Sequence, residues 1–129
     1  MYTIRVDKIS ESPAGSGRFN GFRVPTGRGR TPPAPQDRQI QFIGDSDTVG
    51  YGNLSPSRDC TAEEVIELTD TQDAYSPRVG QHFQADYETI ARSGIGVVRN
   101  YAGMQAGRTM PLLYPRALPG EITPVAANG

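Results

Sequence analysis

The run Ile40-Gln41-Phe42-Ile43 ends abruptly at Gly44-Asp45-Ser46-Asp47-Thr48. A short, mostly apolar segment closed by glycine and small polar residues reads as a strand leading into a tight turn. In an open α/β sheet such a turn lies at the carboxyl edge, where ligands and nucleophiles are displayed. A strand of this kind is expected to be covered on both faces. The turn can present the Ser46 hydroxyl as a nucleophile, or Ser46 can be an ordinary serine at the start of a helix. The residues alone leave both readings open.

The segments C-terminal to Thr48 decide how the strand is used. Thr61-Ala62-Glu63-Glu64 matches a capping box and predicts a helical turn over 63–68. A longer helix is predicted over 70–83, with Tyr75, Val79 and Phe83 on one face at four-residue spacing. Pro77 fits only if that helix starts shortly before it, because an interior proline costs roughly 3 kcal/mol. Tyr87 to Ala91 reads as the next strand. Strand, helix and strand form a βαβ unit, which predicts a parallel pair with a right-handed crossover. Ser46 and Ser93-Gly94 would then lie at one sheet edge.

The flanking segments are weaker. Tyr2, Ile4 and Val6 alternate with polar residues, and Phe19 to Val24 forms a second candidate strand beyond a Gly15-Ser16-Gly17 turn. Residues 25–35 contain four prolines and two glycines and read as an extended linker. A domain boundary is therefore placed near Gln36, giving units 1–35 and 36–129. Beyond Gly96 the chain reads as mostly irregular, and the tail from Leu118 shows no period. Fifteen glycines and eleven prolines fill about a fifth of the 129 residues, and hydrophobic residues make up only 36%. That composition predicts a loop-rich chain with a thin core.

Charge and cysteine content exclude several classes. The net charge of −1 offers no bulk attraction to nucleic acid. The basic stretch Gly27-Arg28-Gly29-Arg30 lacks interleaved aromatic residues and reads as a solvated linker. Cys60 is the only cysteine, so no internal disulfide or cysteine-rich zinc site is possible. No stretch reaches the roughly 18–20 apolar residues of a membrane span, and Met1–Arg5 is not followed by the apolar core of a signal peptide.

The segment Ile40 to Asn53 resembles the first block of the SGNH (GDSL) hydrolases. Its form, GDS-x-T-x-GYGN, is most similar to the second family of carbohydrate esterases, which are acetylxylan-esterase-like. Ser93 to Tyr101 resembles that family's second block, and Thr109-Met110-Pro111 with Tyr114 and Arg116 resembles the stretch after it. Thr3 to Val24 is more weakly similar to the end of the β-sandwich domain that precedes the hydrolase domain.

The resemblance implies an α/β fold: a truncated three-layer α/β/α, flavodoxin-like domain preceded by a β-sandwich remnant. It implies ester hydrolysis on O-acetylated polysaccharide or oligosaccharide, with no metal and no organic cofactor. Ser46 would be the nucleophile, and the N–H groups of Ser46 and Gly94 two of three oxyanion donors. The third donor, an Asn in a G-x-N-D block, and the base, a His in a D-x-x-H-P block, do not occur in the 129 residues. This chain is therefore expected to be a fragment that is inactive alone, with a carbohydrate-binding remnant or a broken gene product as the alternative. The complete protein would be secreted or periplasmic.

Four further expectations concern single residues and the sheet edge. Asn100 and Tyr101 can hold a sugar, or Asn100 can pin a loop. Asp47, where the family commonly has an apolar residue, is expected to cap the helix that begins at the serine. His82, inside the crossover helix, is expected to be a packing or solvent-edge histidine. An unpaired sheet edge invites self-association.

Overall fold

A computed structural model describes residues 4–11, 18–27, 29 and 31–116. Its centre is a two-stranded parallel sheet. Strand β1 spans Gln39–Gly44 and strand β2 spans Asp86–Ala91, paired in register from Gln39 with Asp86 to Gly44 with Ala91. Between them run helices α1 (Ser46–Val49), α2 (Ala62–Glu67) and α3 (Tyr75–His82), and helix α4 (Met110–Leu113) comes after β2. The βαβ reading thus holds as a parallel pair.

Register assigns the faces, because paired residues point the same way and alternate along each strand. Phe42 and Thr89 share the α3 face. The Phe42 ring meets Tyr75 edge-on at 5.7 Å between centroids, and the Thr89 hydroxyl donates to Ser76 Oγ at 3.3 Å. Ile43 and Ile90 point the other way. There Ile90 packs on a small core of Ile95, Met110 and Leu113. Ile43 remains 49% exposed. The expectation of a strand covered on both faces is corrected: α4 is one turn long and leaves Ile43 half-exposed.

Helix α3 also differs from its sequence reading. A separate 3₁₀ turn, Thr71–Asp73, precedes it, and the α-helix begins at Tyr75. Pro77 then falls in the first turn, where its missing N–H has no intrahelical acceptor to lose. The buried face is Ser76, Pro77 and Gly80, while Tyr75 and Phe83 are exposed. Close approach decides this. A Cβ on Gly80 would stand 2.6 Å from Tyr87 Cδ1, so the helix lies on the sheet through its small residues. Helix α2 carries the full capping box: Glu64 N–H donates to Thr61 Oγ1 at 3.2 Å, and Thr61 N–H donates to Glu64 Oε2 at 2.7 Å.

The described parts of the two candidate strands near the N-terminus are not strands. Residues 4–11 and 18–27 hold no ladder, and Ile4 and Val6 are exposed. Alternation alone does not make a strand; a strand needs a partner for its N–H and C=O groups. Residues 4–11 instead lean on the α/β unit. Ile9 O accepts the Thr71 N–H at 2.9 Å. Arg5 Nη2 donates to Tyr87 Oη at 2.8 Å, and Tyr87 in turn donates to Gln72 Oε1 at 3.0 Å. The Tyr87 bond, with Asp7 second, holds the Arg5 guanidinium above its ordinary pKa. Tyr2, the Gly15-Ser16-Gly17 turn, Arg28, Arg30 and the tail from Leu118 lie outside the described residues. Among the described residues no helix is long and apolar enough to cross a membrane.

Candidate active site

Ser46 is the first residue of α1, two positions beyond the end of β1. The residue is partly exposed, and its hydroxyl hydrogen-bonds to none of the described residues. The helix cap is Asp45, whose Oδ1 accepts the Asp47 N–H at 3.3 Å. This corrects the expectation for Asp47, which sits exposed in the first turn. Asp immediately before a helix start is the ordinary N-cap signal, so Asp45 was legible in the sequence.

Two glycines of this stretch have a local reason. Gly44 faces Thr48, so a side chain there would collide with Thr48 Cβ at 2.8 Å. Thr48 is buried and its Oγ1 shares a hydrogen with Tyr75 Oη across 2.7 Å. Gly50 ends α1 at φ +78°, a left-handed conformation that glycine adopts without strain. Asn53 then clasps the backbone of Asp70. Its Nδ2 donates to Asp70 O at 2.8 Å and its Oδ1 accepts the Asp70 N–H at 2.9 Å. The G-D-S-x-T-x-G-Y-G-N pattern thus folds one serine-bearing turn and ties it to the chain leading into α3.

The register brings the second block to the same edge. Gly44 O accepts the Arg92 N–H at 3.3 Å, one residue past β2. Arg92 to Ile95 form a turn closed by Ile95 N–H to Arg92 O at 3.1 Å, with Gly94 at φ +77°. A positive φ at the third turn position is what a type II turn demands of glycine. The Gly94 N–H donates to no acceptor among the described residues. An unpartnered N–H at the same sheet edge as a free serine hydroxyl is the type of donor that can stabilise an oxyanion.

Asn100 is 5% exposed and fully engaged. Its Oδ1 accepts the Gly96 N–H at 3.0 Å, and its Nδ2 lies within 3.0–3.2 Å of the carbonyls of Met104, Gln105 and Arg108. Of the two readings, this geometry is that of a loop pin. Both polar atoms of its side chain are taken up by these internal bonds. Tyr101 opens the 3₁₀ turn Tyr101–Gly103 and is 77% exposed, with its N–H donated to Gly94 O at 2.9 Å.

His82 is the last residue of α3 and is exposed, its ring edge-on to Phe83 at 4.9 Å. Four residues later the chain enters β2, so His82 lies at the amino edge of the sheet. A six-residue strand spans roughly 17–20 Å. Ser46 lies at the opposite edge, far outside the roughly 3 Å reach of a general base. Among the described residues no cluster of three or more His, Cys, Asp or Glu is arranged to hold a metal ion. Cys60 packs its Sγ at 2.9 Å from Ser55 Oγ, within its own loop.

The described unit thus carries a serine after one strand and an open glycine N–H after the other, both at the carboxyl edge of a parallel pair. The chain is similar to an acetylxylan esterase and to solved carbohydrate esterases, one of them of family two. It is 44% identical over 117 residues to an acetylxylan esterase / glucomannan deacetylase of Cellvibrio japonicus, covering 91% of this chain and 32% of that protein. Among solved structures, it superposes with a TM-score of 0.68 and 47% identity on a carbohydrate esterase described as having divergent catalytic and non-catalytic binding functions in its active site. That match covers 71% of this chain and 30% of the other. A family two carbohydrate esterase from Clostridium thermocellum in complex with cellohexaose gives a TM-score of 0.63 at 32% identity, over 74% of this chain and 28% of the other. The chain therefore spans about a third of the length of the relatives it matches. No family model matches it.

Proposed function

We propose that this chain is the nucleophile-bearing part of a serine esterase that removes acetyl groups from carbohydrate. The observation that carries the reading is the pairing at one sheet edge of a free Ser46 hydroxyl with an unpartnered Gly94 N–H. The architecture proposed for the whole is a three-layer α/β/α, SGNH-type sheet, supported here by α3 and α4 on opposite faces. The division near Gln36, with residues 1–35 belonging to a preceding sandwich domain, is proposed on sequence similarity alone.

In the proposed reaction the Ser46 oxygen attacks the ester carbonyl, and the N–H groups of Ser46 and Gly94 receive the developing oxyanion. The alcohol of the sugar leaves, and water then hydrolyses the acyl-enzyme. The proton acceptor is not His82, the only histidine of the sequence. The isolated chain is therefore expected to hydrolyse 4-nitrophenyl acetate no faster than its Ser46→Ala form. With imidazole added as the base, a fluorophosphonate should label the chain: Ser46 Oγ displaces fluoride and its proton passes to imidazole. Equal labelling of the Ser46→Ala form, or label mapped to another residue, overturns the assignment.

A second reading is sugar binding without turnover. It is favoured by the exposed Tyr101 ring beside the Gly94 turn and by the position of His82. Calorimetric binding of cellohexaose by the Ser46→Ala chain, with no imidazole-dependent labelling of the unsubstituted chain, would select it.

A further inference from the structure

Each N–H group of the Arg92–Ile95 turn has a definite fate. Arg92 N–H goes to Gly44 O, and Ile95 N–H goes to Arg92 O. Gly94 N–H stays open. The remaining one, Ser93 N–H, donates at 2.9 Å to Oε1 of Glu11, 82 residues earlier in the chain. No other side chain among the described residues grips the N–H groups of this turn. The Glu11 carboxylate makes the bond charge-assisted, and so stronger than a neutral one.

Glu11 is itself held in place. Two residues before it, Ile9 O receives the Thr71 N–H and lies 2.9 Å from the Thr71 hydroxyl, which also lies 2.8 Å from Val49 O at the end of α1. One threonine thus links the segment bearing Glu11 to the helix bearing Ser46. On the far side of the turn, Gly94 O receives the Tyr101 N–H. The peptide units on either side of Ser93–Gly94 are therefore held, and the plane of the peptide between them decides where the Gly94 N–H points.

We propose that Glu11 is a positioning residue for the oxyanion donor: by holding the Ser93 N–H it fixes the turn that aims the Gly94 N–H at the carbonyl attacked by Ser46. This rests on the assignment of Ser46 as nucleophile and Gly94 as donor. It gives the segment before the α/β unit a role in the chemistry, and a carboxylate outside the sequence blocks a part in the site. Removing an oxyanion donor costs about 10²–10³ in rate. A donor left in place but misdirected should cost about 10–100-fold, since small misplacements near the reacting atoms are costly.

The test compares the unsubstituted chain, Glu11→Gln and Glu11→Ala by imidazole-assisted fluorophosphonate labelling and by amide NMR. Glu11→Gln keeps an acceptor oxygen and should label within about threefold of the unsubstituted chain, while Glu11→Ala should fall about 10–100-fold. The Ser93 amide proton should move upfield in Glu11→Ala and hold most of its place in Glu11→Gln, with the Gly94 resonance shifting alongside. Thermal melts of the three chains separate this from loss of fold. Undiminished labelling of a folded Glu11→Ala chain, or unmoved Ser93 and Gly94 amides, overturns the proposal. A chain inert to the probe, or labelled equally without Ser46, counts instead against the nucleophile assignment; the amide shifts then still decide whether Glu11 sets the turn.

Discussion

Thr48 occupies the space that a side chain at Gly44 would need, with its Cβ 2.8 Å from where the Gly44 Cβ would stand. The contact couples the last residue of β1 to the helix that carries Ser46. Gly44→Ala should therefore destabilise the chain by about 1–3 kcal/mol through overpacking. Thr48→Ala alone loses the bond to Tyr75, worth about 0.5–1.5 kcal/mol. The double variant should be more stable than the sum predicts, because the second change empties the space the first one fills. Urea melts of the three variants measure this; strict additivity would show that Thr48 is not the obstacle.

Asn100 predicts a sharper loss than its neighbour. Asn100→Ala leaves the Gly96 N–H and several carbonyls of one loop without their partner, which should cost about 2–3 kcal/mol. Tyr101→Ala, at an exposed position, should change stability by less than about 0.5 kcal/mol. If sugar binds beside the turn, Tyr101→Ala weakens cellohexaose binding in calorimetry. Unchanged cellohexaose affinity in that variant would remove Tyr101 from the site.

Helix α2 should respond to acid through Glu64. The Thr61 backbone N–H, and after it the Thr61 side chain, hold the Glu64 carboxyl below the usual glutamate range. A lowered carboxylate pKa favours the folded helix at and above the ordinary glutamate range, and the contribution is lost as pH falls through the lowered value. A carboxyl-carbon NMR titration should find Glu64 titrating at lower pH than glutamate in an unstructured peptide, and Thr61→Ala should return it toward that value. A Glu64 that titrates as in an unstructured peptide would mean the capping box does not persist in solution.

The outer edge of β1 pairs with no strand among the described residues, and Ile43 stands half-exposed beside it. Such an edge offers unmet backbone groups and an apolar neighbour to another chain. Sedimentation velocity should show oligomers growing with concentration, and Ile43→Lys should reduce them. A monomer at all concentrations would count against this edge as a contact.

The sequence is most legible where one residue type answers one physical need. Ile40 to Gly44, the Thr61–Glu64 box and the Tyr87 to Ala91 strand are readable because local pattern and final contacts agree. The packed face of helix α3 is not, because the spacing of Tyr75, Val79 and Phe83 says nothing of how near a helix must come to a sheet. Gly80 against Tyr87 settles that, and it is a contact between distant elements. The alternation at Ile4 and Val6 resembles a strand for the opposite reason: its pattern is present, and no strand pairs with it among the described residues. Ser46 and Gly94 can be placed from motif and strand ends. Glu11 carries no signal at all, since nothing in eighty intervening residues announces that its carboxylate meets Ser93.

The position of His82 has a practical consequence for anyone hoping to build a self-contained catalyst from this unit. Extending or mutating α3 cannot supply an acceptor, because the whole tail of that helix belongs to the wrong pole of the sheet. A grafted imidazole would have to spring from the carboxyl-edge loops, where Val97 and Val98, shortly after Gly94, stand exposed.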